Sequence, residues 1–145
     1  MSQWTWNKII VGVDGSKESQ RALAWACEQA RPEILVIALS AWSVPPAPAS
    51  PPFGGFPWGT TIDMGDATRT MLNDVVSEVQ ADFPDVEIAQ HVVAGNAAHE
   101  LIKLSDTADL VVVGAKGHGG FTGMLIGSVS QHVLAHSSCT VVVVR

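Results

Sequence analysis

Charged side chains are scarce in this 145-residue chain, and tyrosine is absent. Only 15% of the residues are charged, while 47% are hydrophobic. Soluble domains are usually about one quarter charged, and disordered chains show still more charge with fewer apolar residues. The composition therefore excludes a disordered chain and favours a largely buried sheet. The length predicts a single domain with one core, spanning residues 1–145.

Basic residues are also few. The chain has 8 Lys and Arg against 14 Asp and Glu, which gives a net charge of −6. Nucleic acids and anionic membrane surfaces are bound by clusters of Lys and Arg, so we expect neither as a partner. A single small anion stays open as a ligand, because backbone amides can bind it without net positive charge.

Cysteine and long apolar runs are rare as well. Cys27 and Cys139 are the two cysteines, and their positions are typical of small buried side chains rather than of a disulfide scaffold. No apolar run approaches the length of a membrane span. The first seven residues lack a basic region followed by an apolar one, so they do not resemble a signal peptide. We therefore expect a reduced, cytoplasmic protein.

The apolar residues that are present alternate between strand-like and helix-like spacing. Strand-like runs occupy residues 9–13, 34–42, 86–93, 110–113 and 140–144, and helical spacing is seen in 22–30, 68–79, a short stretch after Asn96, and 125–136. This order predicts an open five-stranded parallel sheet with helices on both faces, with flavodoxin-like or Rossmann-like layering. Ligands of such sheets bind at the carboxyl ends of the strands. Asp14, Ala41 and Gly114 should share that edge.

A proline-rich segment, residues 44–59, interrupts this pattern. It contains six of the eight prolines, together with Phe53, Phe56 and Trp58. Proline excludes a helix or a central strand here. The segment is either a surface connection in an extended conformation or a lid over a ligand, because it follows the second strand at the ligand edge.

Glycines are concentrated between the fourth strand and the fourth helix. Residues 114–127 hold six of the thirteen glycines. Glycine permits positive φ and close approach of backbone N–H groups to phosphate oxygens, so the segment is either an anion-binding loop or a flexible loop without a ligand. The P-loop motif is absent, since Gly120 and Phe121 occupy its Lys and Ser/Thr positions. The dinucleotide fingerprint is absent after the first strand.

Two histidines, His132 and His136, have the i, i+4 spacing of a metal-binding pair, with Cys139 nearby. Val133 stands where a zinc protease would have glutamate, and a helix C-terminus accounts for both histidines. His91 and His99 have no partner that the sequence reveals. We therefore expect no metal site. Since no nucleophile elbow and no Cys/His pair with a third, orienting residue is found either, we expect no catalytic residues and no enzyme activity.

The motif Gly114-x2-Gly117-x9-Gly127-Ser128 resembles the nucleotide-binding motif of the universal stress proteins. The segment 11–16 (VGVDGS) is similar to the start of that family, and 139–145 (CTVVVVR) is similar to its last strand. The resemblance extends from about Asn7 to Arg145. It implies an adenine-nucleotide α-hydrolase-like fold and a dimer. Two departures are Thr140, where many relatives have proline, and Ala115-Lys116, where Ser-Arg or Ser-His is common.

The resemblance also implies a set of nucleotide-binding residues. Asp14 would contact the ribose and adenine, beside Gly12 and Val13. Ala41 and Val113 would flank the adenine, Gly114 would make room for the ribose, and Gly117 would contact the phosphates. Lys116 and His118 are further candidate phosphate contacts. The last three residues would bind the phosphates at the start of the fourth helix: Gly127, Ser128 and Val129.

The expected function is therefore a cytoplasmic ATP-binding universal stress protein, with or without Mg²⁺, that acts in the stress response through binding and conformational signalling. An apolar edge strand at 140–144 would pair with the same strand of a second copy, which predicts a homodimer. Three alternatives stay open. They are a slow ATP hydrolase or nucleotidyl transferase that uses Lys116 and magnesium, a cyclic-AMP sensor, and an interaction module without a ligand.

Overall fold

The valine- and isoleucine-rich runs form one parallel sheet in the computed structural model, which describes residues 6–30, 32–43, 64–117 and 126–145. The five strands follow the order β3-β2-β1-β4-β5. The elements in chain order are β1 (Lys8–Gly12), α1 (Lys17–Gln29), β2 (Leu35–Trp42), α2 (Met64–Gln80), β3 (Glu87–Ala94), α3 (Ala97–Ser105), β4 (Leu110–Gly114), α4 (Ser128–His136) and β5 (Thr140–Val144). The predicted sheet and its helices are confirmed. The segment 44–59 and His118 lie outside the described residues.

The strand order places β1 between β2 and β4. This is the Rossmann-type arrangement, whereas a flavodoxin-type sheet would have β3 beside β1. From β1 the chain adds β2 and β3 on one side of the sheet, and then returns to add β4 and β5 on the other side of β1. A crevice forms at such a reversal, outside the carboxyl ends of the two strands. The fold thus predicts a ligand site next to Gly12 and Gly114.

Burial differs between the central strands and the edge. Ile9, Ile10 and Val11 in β1 and residues 110–112 in β4 are inaccessible to solvent, as expected for strands covered on both faces. The edge strand β3 has no buried residue, and from Glu87 to Ala94 its exposed and half-buried residues occur largely in pairs. The half-covered edge strand expected here is therefore found, but its exposure does not alternate residue by residue. β5 forms the other edge, and its four valines are half-buried.

Alternate side chains of the central strands enter two separate cores. Ile9 and Val11 pack with apolar residues of α1 and α2, including Leu23 and Leu72. Ile10 packs on the opposite face of the sheet, in a smaller core. That second core includes three further fully or almost fully buried residues: Leu101, Val111 and Val133. The helices α3 and α4 are therefore held on the face of the sheet opposite α1 and α2.

Helix boundaries follow the residues that cap them. Ser16 caps α1 by accepting a hydrogen bond from the Ser19 N–H, and Asn96 caps α3 in the same way. The prediction that α4 begins at Leu125 is wrong. It begins at Ser128, because Gly127 has an extended backbone and Ile126 is also outside the helix. No helix among the described ranges is both long and apolar enough to span a bilayer.

Candidate functional site

A cleft opens at the carboxyl ends of β1 and β4, where the strand order reverses. It holds about 850 Å³ of empty space, part of which is open solvent. The cleft is bounded by the loop after β1, the loop after β4, and the first turns of α3 and α4. These elements come from distant parts of the sequence, and the sheet brings them together.

Every predicted site residue that the structure describes lines this cleft. They are Gly12, Val13, Asp14, Ala41, Val113, Gly114, Lys116, Gly117, Gly127, Ser128 and Val129. His118 lies outside the described residues. The sheet therefore brings all of the described site residues to one cleft, and their binding of a nucleotide stays a prediction.

One wall of the cleft is apolar. Val13 and Val113 are buried beside the half-buried Ala41, and two leucines of the second core, Leu39 and Leu101, complete the wall. Small and branched apolar side chains can enclose a flat aromatic ring without leaving unpaired polar atoms. This wall fits a planar heterocycle such as a nucleobase.

Asp14 follows β1 at the mouth of the cleft. Its Oδ1 accepts a hydrogen bond from the Ser16 N–H at 2.9 Å, and its own N–H donates to Ser19 Oγ at 3.3 Å. This is an Asx turn leading into α1. Gly15 in the turn has a φ of 87°, which glycine adopts without strain. Asp14 therefore serves the turn with one oxygen, while its exposed carboxylate remains at the rim of the cleft.

The glycines of the motif have ordinary backbone angles, and at Gly114 and Gly117 the space that a side chain would need is occupied. Among the described glycines only Gly15 and Gly95 have positive φ, so the expected positive φ is not found at Gly114, Gly117 or Gly127. A Cβ on Gly114 would lie 2.9 Å from the backbone carbonyl carbon of Glu18. A Cβ on Gly117 would collide with the carboxylate of Asp14. At Gly114 the neighbouring atoms include helix backbone, which explains why glycine is needed there, whereas at Gly117 the neighbour is the end of the Asp14 side chain, which can turn away.

The start of α4 is an open anion-binding position. Ser16 and Asn96 cap α1 and α3 with their side chains, whereas Gly127 offers α4 no side-chain cap. The first backbone N–H groups of any helix lack an intrahelical acceptor, and the residue at the N-cap of α4 supplies them with no side-chain acceptor. The helix dipole favours negative charge beside them. Ser128 lines the cleft at this point. The arrangement can bind a phosphate or a carboxylate.

Hydrogen bonds hold this helix start against the sheet. The Gly127 N–H donates to the Ala115 carbonyl at 2.5 Å. Ser130 Oγ, which is buried, donates to the Gly114 carbonyl at 2.5 Å. Ser40 Oγ similarly donates to the Val13 carbonyl at 2.6 Å. The loops on both sides of the cleft are therefore fixed by buried serines.

Charged groups are few in the cleft. Among its described lining residues only Asp14 and Lys116 are ionisable. No group of three His, Cys, Asp or Glu side chains in the described ranges surrounds a possible metal position. Mg²⁺ usually keeps several waters and takes one or two carboxylates together with substrate phosphates. Asp14 fits that limited role, and the described residues offer no preformed metal cage.

Six lining residues were not predicted from the sequence: Ser16, Ser19, Leu39, Ala97, Leu101 and Ser130. Ser16 carried a signal, since it follows Asp14-Gly15 in a turn that can cap a helix. Leu39 lies two residues before Ala41, the predicted site residue near the end of β2. Ala97 and Leu101 lie on α3, and their position depends on the packing of that helix across the sheet, which local spacing does not reveal.

The chain is similar to known proteins over most of its length. Residues 5–145 match the family model described as the universal stress protein family. Universal stress protein Rv2623 of Mycobacterium tuberculosis is 37% identical over 138 residues, which cover 94% of this chain and 44% of that protein. This chain thus spans less than half the length of the curated relatives that it matches.

Solved structures show the same fold. Universal stress protein UspA from Lactobacillus plantarum superposes with a TM-score of 0.79 at 22% identity, covering 99% of this chain and 100% of that one. A universal stress protein crystallised in complex with cAMP superposes with a TM-score of 0.70 at 26% identity, covering 97% of each chain. The observed sheet is therefore of the type that these relatives share.

Proposed function

Because the chain belongs to the universal stress protein family, we propose that its cleft binds an adenine nucleotide, with ATP as the ligand, and that binding rather than catalysis is its role in the stress response. The observation that carries this proposal is the uncapped start of α4, which faces the same cleft as Asp14. An anion-binding helix start, a carboxylate and an apolar wall match the phosphates, the ribose hydroxyls and the base of one nucleotide.

The cleft can bind a triphosphate although it is not strongly basic. Backbone N–H groups of α4 and the Lys116 ammonium can face the phosphates, and Asp14 can accept hydrogen bonds from ribose hydroxyls. Mg²⁺ bound to the phosphates would offset part of their charge and could take Asp14 as a protein ligand. A chain with a net charge of −6 can thus bind ATP through locally placed donors.

Cyclic AMP is the second candidate ligand. It is favoured by the related structure in complex with cAMP. Cyclic AMP requires the same apolar wall but makes fewer contacts at the helix start, because it has one phosphate. ATP would use Lys116 and the α4 N–H groups more fully, so their loss should affect ATP more than cyclic AMP.

The scarcity of ionisable side chains supports a role in binding over one in catalysis. Rapid phosphoryl transfer requires metal ions and several charged groups positioned on the phosphates. The described lining residues provide only Asp14 and Lys116. Slow ATP hydrolysis or nucleotidyl transfer is the enzymatic alternative, and magnesium-dependent phosphate release is the measurement that would reveal it.

We extend the proposal to a cytoplasmic homodimer that pairs through β5. This strand has only β4 as a neighbour in the sheet, and its valines are half-buried. Helices cover the faces of a sheet but not its edge, so the backbone groups of β5 on the open side lack a sheet partner within the described chain. Antiparallel pairing of two β5 strands would satisfy them around a two-fold axis.

Calorimetric titration of nucleotide-free protein with ATP, ADP, AMP and cyclic AMP tests the ligand. We expect ATP to bind with one site per chain, and absence of binding for all four would refute the proposal. Gly127→Val should weaken ATP binding, because the added side chain would crowd Lys116 and Gly117 and obstruct the helix start. Ala135→Val, on the exposed far end of the same helix, is the matched control and should bind ATP as the wild type does.

The dimer has a separate test. Sedimentation equilibrium should show a monomer–dimer transition, and β5 amide protons should exchange more slowly at concentrations where the dimer dominates. A monomer at all concentrations would exclude the β5 dimer while leaving the ligand proposal intact.

A further inference from the structure

Three exposed histidines lie side by side on α3 and α4. The ring centroids of His132 and His136, one turn apart on α4, are separated by 4.9 Å. The ring of His99 on α3 approaches His132 edge-on, with a centroid distance of 6.0 Å. All three residues are exposed. The sequence pairs only His132 with His136, since the approach of His99 depends on the packing of α3 against α4.

The separations are those of imidazoles that can share a metal ion. Imidazole nitrogen is a preferred ligand of Zn²⁺, Cu²⁺ and Ni²⁺. With a Zn–N distance of about 2.1 Å and tetrahedral angles, the centroids of two imidazoles on one ion are about 5 Å apart. The rings of His132 and His136 already have this spacing. The distance between the rings of His99 and His132 is about 1 Å longer.

A rotation of side chains is still needed to complete the set. In the described ranges no three ligands surround a common point, so His99 must turn towards the α4 pair. Exposed side chains exchange rotamers readily. No side-chain hydrogen bond to a carboxylate involves these three rings in the described part of the chain, so such bonds do not oppose the rotation.

We propose that His99, His132 and His136 form a surface site for a divalent transition metal ion of the zinc type, with water completing its coordination. The ion would link α3 to α4. Ala97 in the first turn of α3 and Ser128 in the first turn of α4 both line the cleft. A metal ion bound to the histidines would therefore join two of the elements that form the cleft, outside the cleft itself.

Zinc titration of the full chain, free of any histidine tag and of bound metal, tests the site. We expect one Zn²⁺ per chain and a rise in Tm with zinc concentration, because an ion that binds only the folded state stabilises it. His132→Gln should weaken zinc binding most, since His132 contacts both other rings. His99→Gln and His136→Gln should each weaken it on the order of tenfold or more, given that loss of even an outer-shell partner costs about 10–100-fold.

Two controls separate this site from other histidines. His91→Gln, on the exposed edge strand β3, should bind zinc with wild-type affinity, and so should His118→Gln. Ring proton resonances of His99, His132 and His136 should shift on zinc addition, and those of His91 should not. Unchanged zinc affinity in His132→Gln or in His99→Gln would overturn the proposal, as would loss of binding in His118→Gln. Failure here leaves the nucleotide proposal unaffected, since ATP binding is measured without zinc.

Discussion

The carboxylate of Asp14 occupies the space that a side chain at residue 117 would require. A Cβ built on Gly117 collides with Asp14 Oδ2, and its next contact is the Asp14 carboxyl carbon at 3.3 Å. The loop after β1 and the loop after β4 thus meet at these two residues, one acidic and one without a side chain. Both residues line the cleft.

Gly117→Ala should therefore displace Asp14 and weaken ATP binding on the order of tenfold, which corresponds to about 1.4 kcal/mol. Both residues are exposed, so the free energy of unfolding should change little. Calorimetry on Gly117→Ala, Asp14→Ala and the double variant forms a double-mutant cycle. If Gly117→Ala acts by displacing Asp14, the double variant should bind ATP almost as well as Asp14→Ala does. Additive losses would contradict this coupling.

Gly114→Ala should destabilise the fold itself. The added Cβ would lie 2.8 Å from Glu18 Cβ and 3.0 Å from the Ser19 backbone nitrogen, and a helix backbone cannot move aside as a flexible side chain can. Overpacking of this kind costs about 1–3 kcal/mol. Urea denaturation should show the loss. Gly127→Ala is the control, since its Cβ contacts begin at 3.4 Å, and an equal loss in both variants would contradict the steric explanation.

Much of this architecture could be predicted from the sequence because the relevant signals are local. Uninterrupted Val and Ile runs indicate buried parallel strands, and Asn96 marks the start of α3. The site residues at strand ends, such as Asp14 and Gly114, follow from the rule that ligands bind where parallel strands end. The family resemblance supplied the detailed roles, which geometry alone does not assign.

The remainder depended on contacts between distant segments. The apolar spacing predicts that α4 begins at Leu125, whereas in the structure the helix begins after Gly127. Leu101 and Ala97 enter the cleft only because α3 packs on the second face of the sheet. The approach of His99 to His132 has the same origin. Packing between helices is not encoded in the periodicity of either helix.

Ser130→Ala should lower both stability and ATP affinity. Ser130 is 3% exposed, and its hydroxyl donates to the Gly114 carbonyl at 2.5 Å. Loss of such a buried hydrogen bond costs about 1 kcal/mol, and α4 would be held less firmly beside the cleft. Urea denaturation and calorimetry measure the two effects. The exposed neighbour Ser128 provides the control, as Ser128→Ala should leave stability within about 0.5 kcal/mol of the wild type. Wild-type stability in Ser130→Ala would show that the hydrogen bond contributes nothing.

The free energy of unfolding should fall at alkaline pH because of Cys27. This thiol is on the buried face of α1 and is 2% exposed in the first core, and desolvation raises its pKa from 9.0 to about 11. The folded state thus favours the neutral thiol. The contribution of Cys27 to the free energy of unfolding is therefore fully present below the pKa that the thiol has in the unfolded chain. It is lost between about pH 9 and pH 11 as the unfolded thiol ionises first. Two pKa units correspond to about 3 kcal/mol.

Cys27→Ala isolates this contribution. Urea denaturation across the same pH range should give a shallower decline for the variant than for the wild type, even though its stability at neutral pH is lower because a buried side chain is truncated. Cys139→Ala is the matched control. Burial also raises the pKa of Cys139, with a further rise from Asp109 and opposing hydrogen bonds from Ser137 and Val111. Because Cys139 is only half-buried, its removal should leave most of the alkaline decline in place. Parallel pH profiles for the wild type and Cys27→Ala would refute the assignment of that decline to Cys27.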